Sequence, residues 1–577
     1  MSWIRDRLLP ALAVALAAGL LASAPGCHEP LHAPEAAAHP EDPTPRRGGT
    51  LHLATIDDIR SLDPAAVLGG TEAQLDPLLY AGLVDIAADG SLAPDLAESW
   101  DVSADGRVYR FVLRRGARFH DGSEVSAADV KRSLERALHP STPDPYASFY
   151  ESIAGYADYT AGKAPHLAGV EISGPYEVTF RLEHPDATFP KLLALLPARL
   201  VCPSAGERYD ESFVACGAGP FKMTPGGWER GRQLTLVRHE GYFRPGLPYL
   251  DGMTMVFGMP ALTQRFKLES GALDVVSELS APDASRFRAD ARWASSRAVE
   301  PFRQVWGEAM NVEMPPFDNV EVRRAVAAAL DRDQWAKLKP GLLRPTGQLL
   351  PPTIEEFHAD LPGQVYDPGA ARAHMVKAGL AGGWPKPIPY LIVKQDINEF
   401  TAQLLAEELA PLGLHLDIHL ASYPTFMART HARGHTAISH QGWQQDYPDA
   451  SDFFEPLFSR AAISDTDSNN MSFFVDDRLE TLMTRARRET RPEVRRALYD
   501  EAGAIVVDRA PWAFAFDVSS LRVWQPYVRG LRAHAQYQYP IATVWLDREE
   551  LPRKLALGFG GAERAGFGLA SGGGGAR

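Results

Sequence analysis

The chain has 577 residues, 45% hydrophobic and 23% charged, the balance of a globular protein too long for a single core. Asp and Glu outnumber Lys and Arg by 73 to 59, for a formal net charge of −14 at pH 7. Such a surface repels nucleic acid and anionic headgroups, and no long basic run interrupts it, so nucleic acid is not expected as a partner.

At the N-terminus, Arg5 and Arg7 precede an uncharged run from Leu8 to Ala22. That run is shorter than the about 20 apolar residues a membrane span needs, so residues 1–26 read as an export signal. Two cleavage points compete. Ala22-Ser23-Ala24 fits an A-x-A site but would leave Pro25 as the first mature residue. Gly26 before Cys27 resembles a lipobox, in which the Cys27 thiol takes a lipid, although Ala24 and Pro25 stand where Leu and then a small residue are usual. Residues 27–47, rich in Pro, Ala, Glu and His without an apolar period, form a disordered tether.

Order is expected from Gly48-Gly49-Thr50. Leu51, Leu53 and Thr55 alternate with His52 and Ala54 as in a strand. Asp89-Gly90, Asp105-Gly106 and Asp121-Gly122 mark turns. Between the last two, Tyr109, Phe111 and Leu113 fall on one strand face. Ser126 with Asp129 reads as a capping box opening a helix. Further on, the periodicity predicts a single helix over 318–338 capped by Asp318, and a helix after Asp367-Pro368 stopped by Gly379. A strand is predicted over 389–393, a helix over 400–412, a strand over 414–420 and a helix over 492–508. The pattern closes with a last core strand over 512–517 and a Gly-, Ala- and Arg-rich disordered tail over 551–577. This is a mixed α/β chain. Beyond Cys27 the cysteines are Cys202 and Cys216; in an oxidising compartment one disulfide between them is the simplest arithmetic, two separate buried thiols the alternative.

Residues 97–122, AESWDVSADGRVYRFVLRRGARFHDG, resemble the signature of the family 5 extracellular solute-binding proteins, the dipeptide- and oligopeptide-binding receptors of ABC transporters. The matching residues are Ala97, Trp100, Asp105, Tyr109, Phe111, Leu113, Arg114, Phe119, His120, Asp121 and Gly122. The likeness continues through Ser126–Val130, Gly217–Phe221, Asn311, Pro315–Asn319, Val322–Ala325, Tyr366–Pro368 and Trp443–Phe454, across about residues 48–550. It implies a two-lobed periplasmic-binding-protein-like α/β fold of the class II type, with an extra inserted subdomain. By that likeness lobe I takes 48–92, 215–302 and 514–550, the inserted subdomain 93–214, and lobe II 303–513. Hinges are expected near 302 and 513, for a closure that traps ligand.

The resemblance also implies the site. In peptide-binding relatives the acidic residue at the position of Asp446 pairs with the ligand's α-ammonium, a charge-assisted bond in a closed cleft. Trp443 would wall the pocket, Gln445 and Tyr447 would contact ligand, and the backbone of 441–445 could bond an extended peptide as an added strand. The bland alternative for Asp446-Tyr447-Pro448-Asp449 is a turn. His415, His419, His431, His435 and His440 are dense enough to suggest a metal site. His415, Asp417 and His419 nevertheless alternate with Leu416, Ile418 and Leu420 like the solvent face of a strand, so no metal is expected. There is no G-x-S-x-G elbow, H-E-x-x-H zinc site or phosphate loop, so neither catalysis nor a cofactor is expected. The expected protein is a monomeric periplasmic receptor, held to the membrane by lipidated Cys27, that hands short peptides to ABC transporter permease subunits. A non-peptide cargo on the same scaffold (oligosaccharide, nickel chelate or haem), or an orphan sensor lipoprotein, is the alternative.

Overall fold

The computed structural model describes residues 44–67, 70–144, 146–210, 212–394 and 397–547. The signal segment, Cys27, most of the tether and the tail lie outside the described residues.

The strand Thr50–Ala54 runs parallel to Gly252–Val256, which pairs antiparallel with Gln233–Arg238 and that in turn with Phe221–Glu229. Alternation puts Leu51 and Leu53 inside with Leu234, Leu236, Met253 and Met255, giving the first lobe its core. The backbone at Gly217 and Gly219 passes so close to Leu79 that an added Cβ would meet its carbonyl group at 2.4 and 2.5 Å, which is why glycine precedes Pro220 here.

The inserted subdomain is a four-stranded antiparallel sheet in the order Ala97–Val102, Val108–Leu113, Glu177–Arg181, Val170–Gly174. Tyr109, Phe111 and Leu113 face inward against Phe180 and the helix Ala127–Ala137, whose Ser126–Asp129 capping box is complete. Its core takes in Ala81, Leu83, Val84 and Ile86 as well as residues from Leu192 to Cys202. The small hairpin of Val84–Ile86 and Leu92–Pro94 packs on the same apolar face. Cys202 and Cys216 are disulfide-bonded, with Cα atoms 5.4 Å apart.

The second lobe is built on a six-stranded sheet in the order Leu343–Pro345, Trp512–Val518, Gln304–Met310, Ile438–Gln444, Ile388–Val393, Leu416–Ala421. Helices cover both faces. Val320–Ala329, Pro368–Lys377 and Asn398–Leu409 pack on one, and Ser451–Phe458, Asp477–Arg488 and Pro492–Arg509 on the other. A strand buried on both sides splits its residues between two cores: Val305 and Ala309 serve one, Met310 the other.

Three sequence expectations change. The predicted helix over 318–338 is two helices, Val320–Ala329 and Arg332–Ala336. Asp331 breaks it by turning out of helical backbone to cap the second piece through the Gln334 N–H, and the buried Arg332 guanidinium donates to the carbonyls of Leu330, Ala327, Thr346 and Phe514. The cap of the first piece is Asn319, which accepts from the Glu321 N–H, not Asp318. The strand over 512–518 is not the last, and it lies inside the second lobe's sheet, paired with both Gln304–Met310 and Leu343–Pro345. The chain therefore crosses between sheets at 300–303 and again at 519–520, beyond the 513 expected, before Leu521–Trp524 joins a three-stranded sheet with Val275–Val276 and Arg297–Val299. At these crossings the fully buried Glu300 and Arg522 side chains lie 3.2 Å apart.

Candidate functional site

The strand Ile438–Gln444 pairs along its whole length with Gln304–Met310, from Ile438 opposite Met310 to Gln444 opposite Gln304. On its other edge Ile388–Val393 reaches only Ile438 and Ser439. Residues 440–444 therefore carry no strand partner on that edge among the described residues. The chain continues through Gln445, whose N–H donates to the Arg303 carbonyl at 3.0 Å, into the loop that opens the helix Ser451–Phe458.

That loop sends its side chains to three different surroundings. Trp443 packs against the second lobe's core, and its indole N–H lies beside Asp452 without completing a hydrogen bond. Gln445 is buried; its Nε2 donates to the Ala535 carbonyl at 3.0 Å and to Gln536 Oε1 at 2.9 Å, tying the loop to the C-terminal segment of the other lobe. Tyr447 is 4% exposed and belongs to the inserted subdomain's core, its ring edge-on to Phe149 at 5.8 Å and its hydroxyl 2.9 Å from Ser451 Oγ. The side chains of Gln445 and Tyr447 are thus engaged by other parts of the protein. Asp446 sits between them, half-buried. Its N–H donates to Asp452 Oδ2 at 2.8 Å and its carbonyl accepts from Gln536 Nε2 at 2.7 Å. Its carboxyl forms no ion pair among the described residues, and burial pushes it up to about 7. Asp452, fully buried, is driven well above the usual carboxylate range by burial and then by the charge of Asp446.

Residues the sequence did not point to complete the seam. Tyr146 and Phe149 come from the inserted subdomain, and the Tyr146 hydroxyl feels the charges of Asp446, Asp452 and Asp144. Two reciprocal ionic contacts pull that subdomain onto the second lobe. Lys191 Nζ, on the short helix Phe189–Leu192, donates to Asp449 Oδ2 at 3.0 Å and to the Pro448 carbonyl at 2.9 Å. Arg487, on the helix Asp477–Arg488, reaches Asp186 at 3.2 Å and Glu151 at 3.4 Å, and its carbonyl accepts the Ala187 N–H at 2.8 Å. Burial opposes ionisation of Asp449, but Arg495 at 2.5 Å and Lys191 outweigh it and hold the carboxyl well below its ordinary value. Lys191 and Asp449 are 258 positions apart, a pairing no local pattern announces.

The five histidines are scattered. His419 pairs with Asp417 on the surface at 3.0 Å, His431 is buried, and His440 Nδ1 lies 2.8 Å from Glu308 inside an aromatic cluster of Trp306, Trp335 and Phe516. Two surface depressions open on the second lobe, one lined by Arg324, Gln364 and His374 and the other by Leu349, Phe454 and Tyr499; neither touches residues 443–447. No helix among the described residues is long and apolar enough to cross a membrane.

Residues 91–465 match the model of the bacterial extracellular solute-binding proteins, family 5. Among curated proteins, the chain is 27% identical over 511 residues to a probable deoxycholate-binding periplasmic protein of Escherichia coli, covering 84% of this chain and 90% of that one. It is 28% identical over 495 residues to a probable di/tripeptide-binding protein of Pseudomonas aeruginosa, covering 81% and 90%. Among solved structures, the periplasmic binding protein DppA of Helicobacter pylori in complex with a peptide superposes with a TM-score of 0.73 at 24% identity, covering 87% of this chain and 98% of that one.

Proposed function

The chain belongs to the bacterial extracellular solute-binding proteins of family 5, and from that premise we propose that it captures short peptides with a free N-terminal amine and delivers them to an ABC importer. One observation carries the reading. Asp446 holds a half-buried carboxylate with no cationic partner among the described residues, at the seam where both lobes and the inserted subdomain meet. A ligand ammonium there gains a charge-assisted hydrogen bond and relieves the desolvated acid. The unpaired edge of residues 440–444 supports main-chain reading of an extended peptide, which leaves side-chain identity largely free. Trp443 supplies a wall; Gln445 and Tyr447 serve closure.

Calorimetry with Ala-Ala and N-acetyl-Ala-Ala tests this. Only the free amine binds, and Asp446→Asn weakens it by about 30-fold or more, the cost of truncating one partner of a buried charge pair. Equal affinity for both peptides, or a variant that folds and binds as before, overturns the assignment. The second reading, a non-peptide cargo, is favoured by the similarity to the deoxycholate-binding protein. Deoxycholate is an anion and would meet buried carboxylates here, so the geometry supports the cationic ligand; tight deoxycholate binding would reverse the order.

The lipid on Cys27, the membrane anchoring it provides, the permease partner and the monomeric state belong to the same proposal. Intact-mass measurement of the exported protein tests the anchor: a diacylglycerol adduct on an N-terminal Cys27 supports it, and an unmodified N-terminus removes it.

A further inference from the structure

We propose that Gln536 is the positioning residue of the ligand site: it reaches across the seam and fixes the backbone from which the Asp446 carboxyl projects. The inference rests on the reading of Asp446 as the ammonium contact and extends it to the residue that aims it. In the run Gln536-Tyr537-Gln538-Tyr539 both tyrosines are buried. Tyr539 enters the first lobe's core, and the Tyr537 hydroxyl accepts from Arg199 Nη2 at 2.9 Å while donating to Asp85. Gln538 donates its N–H to Gln74 Oε1 and its Nε2 to Ser277 Oγ at 2.8 Å, and the Ala535 N–H donates to the Ala88 carbonyl at 2.9 Å. The residues on either side of Gln536 are therefore anchored outside the second lobe.

Gln536 itself, half-buried, turns to the second lobe. Its Nε2 donates to the Asp446 carbonyl at 2.7 Å, its Oε1 accepts from Gln445 Nε2 at 2.9 Å, and its own carbonyl accepts from Arg303 Nη1. Main-chain carbonyls dictate how both amides are turned, that of Ala535 for Gln445 and that of Asp446 for Gln536. Glutamine suits the place because its amide donates and accepts at once; methionine, of similar length, does neither well. The Arg303 carbonyl accepts the Gln445 N–H at 3.0 Å, so the hydrogen-bonded ring closes on the chain crossing at 300–303. With its N–H on Asp452 Oδ2 at 2.8 Å and its carbonyl on Gln536, Asp446 has both backbone groups held, one from each side of the seam. Its carboxyl then swings only about its side-chain torsions. A charged group held in this way has less freedom to lose when a ligand arrives, and such preorganisation raises affinity without adding a contact to the ligand.

A double-mutant cycle on the full-length protein, read by calorimetry with Ala-Ala, tests this. Gln536→Met removes both amide bonds at nearly constant length and weakens Ala-Ala by about tenfold or more. In the Asp446→Asn background the same substitution costs about twofold or less, because the charge that Gln536 aims is already gone. Gln536→Asn, which keeps the amide but withdraws it by one methylene, gives the same pattern and serves if the apolar variant does not fold. Equal factors in the two backgrounds overturn the inference, since Gln536 then acts on the approach of the lobes and not through Asp446. Wild-type affinity for Ala-Ala in both Gln536 variants also overturns it, and leaves the peptide reading intact. A wild-type protein that binds no Ala-Ala rejects the peptide reading and the inference with it.

Discussion

Replacing Lys191 by Met tests whether the inserted subdomain is part of the closing machinery. The substitution keeps the apolar stem and deletes both bonds to the second lobe, at 3.0 Å to Asp449 and 2.9 Å to the Pro448 carbonyl. Asp449 remains ion-paired with Arg495, so no charge is stranded and the cost is that of the lost bonds. A hydrogen bond to a charged group contributes ~1.5–3 kcal/mol net, and Lys191 is mostly buried, so about 2 kcal/mol is expected. That energy acts on the closed form alone. In a receptor that is mainly open without ligand, it enters the apparent affinity in full, about 30-fold weaker binding of the peptide. Calorimetry reads the affinity, and small-angle scattering at the peptide concentration that half-saturates the wild-type protein reads the radius of gyration, which should be larger in the variant. Arg232→Met, which removes only an exposed pair with Glu229, is the control and should change neither. If Lys191→Met leaves both affinity and radius at wild-type values, the contact does not control closure and the reasoning fails.

Three further outcomes are expected. Burial raises Asp446 from 3.8 to about 7, so the folded state retains a proton that the unfolded chain gives up. Its contribution to stability is full below about 4 and is lost as pH rises toward 7; Asp446→Asn should flatten the fall in Tm between pH 5 and 7, and an unchanged profile would reject the assignment. Arg522→Ala leaves Glu300 buried without its partner at the chain crossings and should cost about 3–5 kcal/mol in denaturant unfolding; a loss below about 1 kcal/mol would mean the pair is not desolvated. Replacing Cys202 and Cys216 together by Ala opens a loop closed over 14 positions and should lower stability by ~3 kcal/mol in the chain-entropy model, measured by urea unfolding under oxidising conditions; no difference from wild type would show that the bond does not form.

Local chemistry made much of the fold legible. Ser126 and Asp129 three positions apart can satisfy each other's backbone donors wherever the helix sits, and they do. Asp367 caps before Pro368 for the same reason, and the alternation of Tyr109, Phe111 and Leu113 shows one face of a strand before any partner is known. The errors come where two residues distant in sequence compete with local preference. The apolar period running past Leu330 suggests one helix, but Asp331 turns the backbone and Arg332 is drawn to carbonyls at Thr346 and Phe514. The strand Trp512–Val518 looks terminal along the chain, yet its hydrogen bonds belong to Gln304–Met310 and Leu343–Pro345, and this moves the second crossing to 519–520.

The site divides in the same way. By itself the sequence determined the export signal's pattern, the family likeness and the loop on which Asp446 stands, because these reside in order and spacing. Only the tertiary structure decided which side chains of that loop are engaged by the rest of the protein and which are not. It carried Gln445 to the carbonyl of Ala535, Tyr447 into the core beside Phe149, and Lys191 to Asp449, while leaving the Asp446 carboxyl without an ion pair among the described residues. The physical reason is that an ion pair or its absence is a property of three-dimensional neighbours. A carboxylate's meaning depends on whether a lysine hundreds of residues away is folded against it.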